Sequence, residues 1–268
     1  MTNNEKTLNR RDFLKISAAG LATTAVAAGM TRKQHDANSE EAPSPHHWAM
    51  VIDQSKCTGC EYCTMACRAN NDVSPDISWT RVIQLEPIGT KDVFLPIPCM
   101  QCDDAPCVHI CPVKASYKRS DGIVMMDYER CIGCRYCEIA CPYGARSFNW
   151  EEFEGENPAV PTWGTPEVER RPRGVVEKCA FCYQRIDRGL AQGLTPGVDP
   201  AATPACVVAC PTGARIFGDL NDPNSAVSRA LAENPSYRLR EDLGTDPHVY
   251  YLPVRELNKE GALCTDNA

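Results

Sequence analysis

The chain is poor in aromatic residues, which make up 7% of its 268 positions. A large core built on rings is therefore excluded, and 21 prolines impose frequent turns. Positive charge is also scarce, with 28 Lys and Arg against 35 Asp and Glu and a net charge of −7. Lys6, Arg10, Arg11 and Lys15 all lie in the N-terminal segment, so the remainder is more acidic still. An acidic surface without a basic stripe argues against nucleic acid as a partner. Long apolar runs are absent too: the mildly apolar stretch 16–30 falls short of the roughly 20 residues a membrane span needs. The five histidines, His35, His46, His47, His109 and His248, show no ligand spacing with one another. No residue presents itself as a catalytic acid or base.

Cysteine is the abundant residue. Sixteen of the 17 fall into four quartets: Cys57, Cys60, Cys63, Cys67; Cys99, Cys102, Cys107, Cys111; Cys131, Cys134, Cys137, Cys141; and Cys179, Cys182, Cys206, Cys210. Only Cys264 is left over, an idle thiol in a polar tail with no second cysteine near it. In the run Cys131-Ile-Gly-Cys134-Arg-Tyr-Cys137-Glu-Ile-Ala-Cys141-Pro142 the spacing lets three thiolates face one cubane while the fourth points at another. The fourth cysteine is expected to open a helix, with Pro142 in its first turn. Disulfide staples and zinc knuckles are the competing readings. Four cysteines within eleven residues, twice over, disfavour the first, and the third cysteine with a closing Cys-Pro disfavours the second. The second and fourth quartets depart from regular spacing but still supply four thiolates each. Position 102 is cysteine, so nothing points to loss of an iron, and four [4Fe–4S] clusters are expected. Bound metal must then supply much of the folding free energy, and the cluster-free chain is expected to be unfolded.

The chain divides into residues 1–27, a signal segment; 28–46, a polar linker; 47–255, the cluster-binding domain; and 256–268, a mobile tail. Arg10-Arg11-Asp12-Phe13-Leu14-Lys15 before the apolar run looks like a twin-arginine export signal. Such export carries folded cargo, so clusters can be inserted before the protein crosses the membrane. Trp48–Asp53 reads as a strand. From Asp53 to Cys67 the pattern recurs 74 residues later, from Asp127 to Cys141, which marks an internal duplication. A second repeated phrase follows the closing cysteines: Cys111-Pro-Val-Lys-Ala, Cys141-Pro-Tyr-Gly-Ala-Arg and Cys210-Pro-Thr-Gly-Ala-Arg, each read as a short helix leading into a strand. Asp121-Gly122 between two short apolar runs signals a hairpin. Residues 144–178 show no period and are read as a docking surface, a lid or a plain solvated loop. A helix is expected over 223–233 and a last strand over Val249–Leu252. Gly59 and Gly133 leave room for backbone N–H groups near sulfide or serve a turn that needs glycine. Tyr62 and Tyr136 are expected to shield clusters from water, and His109, inside a cluster loop, to have a surface or packing role.

Four quartets in this order resemble the four-cluster subunits of the dimethyl-sulfoxide-reductase and polysulfide-reductase type, from about Trp48 to Leu252. The export signal and the spacer ending Gly174-Val175-Val176-Glu177-Lys178-Cys179 are most similar to the exported iron–sulfur subunit of Dsr-type respiratory membrane complexes. The resemblance implies an α+β fold of two bacterial-ferredoxin-like dicluster modules, quartets two and three forming one and quartets one and four the other. It implies ligand sets in which each last cysteine crosses over. Cys57, Cys60, Cys63 and Cys210 would hold one centre, and Cys67, Cys179, Cys182 and Cys206 a second. Cys99, Cys102, Cys107 and Cys141 would hold a third, and Cys111, Cys131, Cys134 and Cys137 a fourth. The implied function is single-electron relay between an integral membrane, quinone-reactive subunit of the polysulfide-reductase membrane type and a further redox subunit, a cytochrome, iron–sulfur or molybdopterin protein. The alternatives are the beta subunit of an exported molybdopterin oxidoreductase and a stand-alone iron–sulfur reductase. The implied location is the periplasm or outer face of the cytoplasmic membrane, with membrane association through the partner.

Overall fold

Strand β1 (Trp48–Asp53) is buried at all six residues, and its apolar run from Trp48 to Ile52 suits a strand covered on both faces. The computed structural model that shows this describes residues 43–254. The signal segment, most of the linker, the tail and Cys264 lie outside the described residues. Strand alternation sends Trp48, Met50 and Ile52 into the main core with the cysteines, while Ala49 and Val51 face the other way. β1 is the centre of a three-stranded sheet in the order β8–β1–β9. It pairs antiparallel with β8 (Arg215–Asp219), Trp48 opposite Asp219, and parallel with β9 (Val249–Leu252), Met50 opposite Val249.

Three two-stranded ribbons complete the β structure: β2 (Arg81–Ile88) with β3 (Lys91–Ile97), β4 (Ser116–Lys118) with β5 (Val124–Met126), and β6 (Ser147–Phe148) with β7 (Val176–Glu177). The β4–β5 hairpin turns at Asp121-Gly122 as its sequence predicts, Gly122 having φ +89°. A side chain there would meet His47, 2.7 Å away, so glycine lets β1's approach pass close by. The Trp48 indole donates to Asp121 Oδ2 at 3.2 Å and ties the hairpin to the sheet. The long β2–β3 ribbon had no counterpart in the sequence reading. Its outer strand is mostly exposed, so alternation that would announce a half-buried strand is missing.

The helices are short: α1 (Tyr62–Asn70), α2 (Pro106–His109), α3 (Tyr136–Ile139), α4 (Tyr183–Ala191), α5 (Ala205–Val208) and α6 (Ala226–Glu233). Small sheets with short helices make the fold α+β. Two sequence readings need correction. The expected helices after the closing cysteines stand before them instead: Cys111, Cys141 and Cys210 follow α2, α3 and α5, and Cys-Pro enters a turn. Helix α6 begins at Ala226 and not at Pro223, because Ser225 caps it by accepting from the Ser228 N–H at 3.0 Å. Asp222 is spent on a preceding turn, accepting from the Asn224 N–H. The end of the linker is also seated: the His46 imidazole contacts Asp219 at 2.7 Å and the Asn221 amide donates to Pro45 O.

Residues 149–175 form a strap and not a free loop. Asn157 donates to Arg68 O, Val73 O and Asp72 Oδ1, and Arg170 forms an ion pair with Asp72 at 2.9 Å. Arg171 is paired with Glu177, both buried, and donates to Asp72 O. These contacts fasten the spacer to the end of α1.

Candidate metal centres

The two regular quartets are built by the same backbone device. Gly59 and Gly133 have φ +71° and +69°, and Glu61 and Arg135 have φ 59° and 60°, a left-handed residue immediately before each helix. The chain is thereby coiled tightly enough for three cysteines to face one point before α1 or α3 carries the fourth away. An added side chain at Gly59 would overlap the Phe94 ring, and one at Gly133 would overlap the Gly174 carbonyl. The turn and the close packing both require glycine, and the Gly59 N–H also donates to the Cys57 sulfur.

Cys57, Cys60, Cys63 and Cys210 line one cavity, with Arg215 beside it. Cys99, Cys102, Cys107 and Cys141 line another, with Arg146 beside it. Cys67, Cys179, Cys182 and Cys206 are buried close enough together for the other three to raise the Cys67 pKa, after burial itself. The Asn71 amide bridges Cys67 Sγ at 3.7 Å and Cys182 Sγ at 3.6 Å. In the last set Cys137 lies beside Cys111, Cys131 packs on the main core and Cys134 is exposed. Three sets are thus visibly gathered, while the fourth is drawn together only around Cys137. Neighbouring sets lie within electrostatic reach of one another: Cys63 of Cys206, Cys99 of Cys179, and Cys107 of Cys137.

All sixteen described cysteines are free thiols, so the disulfide reading has no support. Burial pushes the Cys102 and Cys179 thiols up to about 12, with neighbouring cysteines adding to the effect. Burial likewise holds Cys67 and Cys206 well above the ordinary thiol value. Buried thiols of this kind are inert as nucleophiles and ionise only when a metal replaces the proton. Soft sulfur donors in fours, converging on enclosed space with N–H donors at the sulfurs, fit iron–sulfur cubanes.

Sequence reasoning missed the polar groups between the sets. Arg146 donates to Cys107 Sγ at 3.0 Å, Met126 Sδ at 2.8 Å and Ser116 Oγ at 2.6 Å. Arg215 donates to Cys63 Sγ at 3.5 Å and reaches Cys206 Sγ at 3.9 Å. Their signal was present, since both close the repeated Gly-Ala-Arg phrase and so occupy equivalent places in the two halves. Lys178 is also buried, its ammonium donating to Val124 O and Cys179 O. Gln101, fully buried, links the same two segments by donating to Cys179 O and accepting from the Val124 N–H, each at 2.8 Å.

The histidine reading needs one correction. The fold brings His47 and His248 together over Asp103, which Lys118 already neutralises. Burial, then the neighbouring His47, lowers the His248 pKa to about 4, so it is neutral near pH 7. His109 is exposed and pairs with Asp104 at 2.7 Å, away from the sulfurs in hydrogen bonding. Tyr62 and Tyr136 sit half-exposed at the surface, Tyr62 edge-on to Trp163.

Comparison with known families agrees with this chemistry. Two models of a 4Fe-4S dicluster domain match residues 90–157 and 130–214, and a 4Fe-4S binding domain matches residues 48–69. A twin-arginine translocation pathway signal sequence matches residues 7–27. The Hdr-like menaquinol oxidoreductase iron-sulfur subunit 1 of Archaeoglobus fulgidus is 40% identical over 92% of this chain and 98% of its own length. The menaquinone reductase iron-sulfur cluster-binding subunit of Nitratidesulfovibrio vulgaris is 44% identical, covering 78% and 89%. The arsenate respiratory reductase iron-sulfur subunit of a Shewanella species is 36% identical, covering 76% and 94%. The chain binds 4Fe–4S clusters, carries a twin-arginine export signal, and belongs to the family of iron–sulfur, electron-transfer subunits of dimethyl-sulfoxide-reductase and menaquinol-oxidoreductase type respiratory complexes.

Proposed function

We propose that this chain relays single electrons through four [4Fe–4S] clusters in series, outside the cytoplasmic membrane, between a quinone-reactive integral membrane subunit and a second redox subunit. The ligand sets are those of the crossing pattern. Cys57, Cys60 and Cys63 act with Cys210, and Cys67 with Cys179, Cys182 and Cys206. Cys99, Cys102 and Cys107 act with Cys141, and Cys111 with Cys131, Cys134 and Cys137.

One observation carries the reading: the sets, each within electrostatic reach of the next, run from exposed Cys60 to exposed Cys134, which are the exposed cysteines among the described residues. A relay needs buried middle stations and accessible ends, and the burial of Cys67, Cys99, Cys179 and Cys206 supports this reading. When bound, each cluster accepts and releases one electron, at a potential set by sulfur hydrogen bonds, local charge and solvent exposure. The chain's own residues hold the sulfurs, exclude water from the middle sets and present donors such as Asn71 and Arg215 to them.

The membrane partner is supported by two relatives whose names refer to menaquinol and menaquinone. Among the described residues no helix is long and apolar enough to cross a membrane, so docking on an integral subunit would supply the attachment. Exposed Ile132, Tyr136, Ile139 and Trp150 surround the Cys134 end and offer an apolar face for a protein partner.

The test is solubilisation of the complex from membranes under argon, followed by mixing with a reduced menaquinone analogue. Appearance of reduced-cluster EPR signals in the intact complex, and their absence from the isolated chain, is the expected result. Signals that stay silent with quinol and with quinone in the intact complex would overturn the quinone-linked role.

A further inference from the structure

The middle of the molecule holds three cations that have no business there by ordinary rules. Arg146, Lys178 and Arg215 are 3%, 1% and 4% exposed. A buried charge is normally paired with an opposite charge, as Arg171 is with Glu177. These three have no carboxylate partner among the described residues. Their contacts are sulfurs, a hydroxyl and carbonyl oxygens.

Their places follow a pattern. Arg215 lies between Cys63 of the first set and Cys206 of the second. Lys178 lies between the second and third sets, its ammonium joined to the Cys179 carbonyl and to Val124, with Cys99, Cys179 and Cys107 favouring its charge against burial and the like charge of Arg146. Arg146 lies between Cys107 of the third set and Cys137 of the fourth. Each junction between neighbouring sets therefore holds one cation.

Resting on the four-cluster reading above, we propose that Arg215, Lys178 and Arg146 are tuning charges, one at each junction of the relay, and that each raises the reduction potential of both clusters it separates. The physics is direct. A cubane with four thiolates is an anion, and reduction makes it more negative. Burial in a medium of low dielectric penalises that extra charge and would leave the inner clusters harder to reduce than the exposed outer ones. A cation within electrostatic reach of the sulfurs opposes the penalty. The inner sets border two cations each and the outer sets one each, which matches the order of burial. The anionic clusters in turn supply the counter-charge that the three buried cations lack.

The test replaces each cation by a neutral residue, Arg215→Gln, Lys178→Gln and Arg146→Gln, in the cluster-loaded protein, and follows redox titration by EPR. Each variant is expected to lower two midpoint potentials and leave two unmoved. The pair lowered by Lys178→Gln shares one member with the pair of Arg215→Gln and the other with that of Arg146→Gln, and these last two pairs share none. This overlap needs no prior assignment of signals. A variant with full iron content whose four potentials stay put, or all fall together, would overturn the proposal. Should a neutral variant fail to assemble, Arg215→Lys, Lys178→Arg and Arg146→Lys decide. Assembly with near-normal potentials supports a role of charge, and loss of iron in these as well shows a role of shape alone. Wild-type protein with clearly fewer than about sixteen irons would instead break the four-cluster reading.

Discussion

The two halves of the proposed crossing pattern would hold their thiols by different means. The half built on the second and third quartets uses residues 99–141, nearly contiguous, with the β4–β5 hairpin between them. The other half joins Cys57–Cys67 to Cys179–Cys210 across the entire first half in the sequence. It needs the β8–β1–β9 sheet, the strap of residues 149–175 and the packing of α1 on α5 to close. The loop-closure entropy of the second arrangement is larger, and more of its stability comes from long-range contacts.

The comparison is tested most severely by removing iron. Chelation under oxidising conditions is expected to abolish near-UV circular dichroism in both halves, since metal ligation and folding are coupled. Retention of the tertiary signal in the apo-protein would show that the sheet suffices for the long-range half. Next in size is Arg171→Ala, which leaves Glu177 buried and unpaired beneath the strap. A loss of about 3–5 kcal/mol in denaturant unfolding is expected, with iron lost first from the long-range half. Equal loss from both halves would erase the distinction.

Ile52→Val trims a fully buried side chain of strand β1 and is expected to cost about 1 kcal/mol. The smallest effect belongs to Asp187→Ala, which leaves Arg119 its ion pair with the buried Asp121. Arg119 reaches from the contiguous half's hairpin to Asp187 of α4 in the other half, at 2.7 Å. The pair is partly exposed, so its removal is expected to cost about 0.5 kcal/mol and leave iron content unchanged. A cost several times larger would mean that the halves are joined chiefly by surface charge.

How much of this was legible before folding differs by element. The regular quartets, β1, the β4–β5 hairpin and β9 announced themselves through spacing, an unbroken apolar run and Asp121-Gly122, all local signals. The Cys-Pro helices are misplaced by any reading that assigns the proline to a first turn; the chain instead places its helix upstream of the closing cysteine, starting after Ala105, the left-handed Arg135 or Pro204. The β2–β3 ribbon stayed hidden because its outer strand packs against little. The buried cations were hidden for another reason. Nothing in a single sequence marks Lys178 as buried, because what makes its burial tolerable is sulfur from positions far apart in the chain. Arg146 and Arg215 were visible as a repeat without a visible purpose.

The most direct test of the account is iron and acid-labile sulfide per chain on anaerobically prepared protein, with EPR of the reduced sample. About sixteen of each, with coupled signals from neighbouring reduced cubanes, is the predicted result. A stable protein that contains zinc or disulfides, has no iron and is EPR-silent would contradict it.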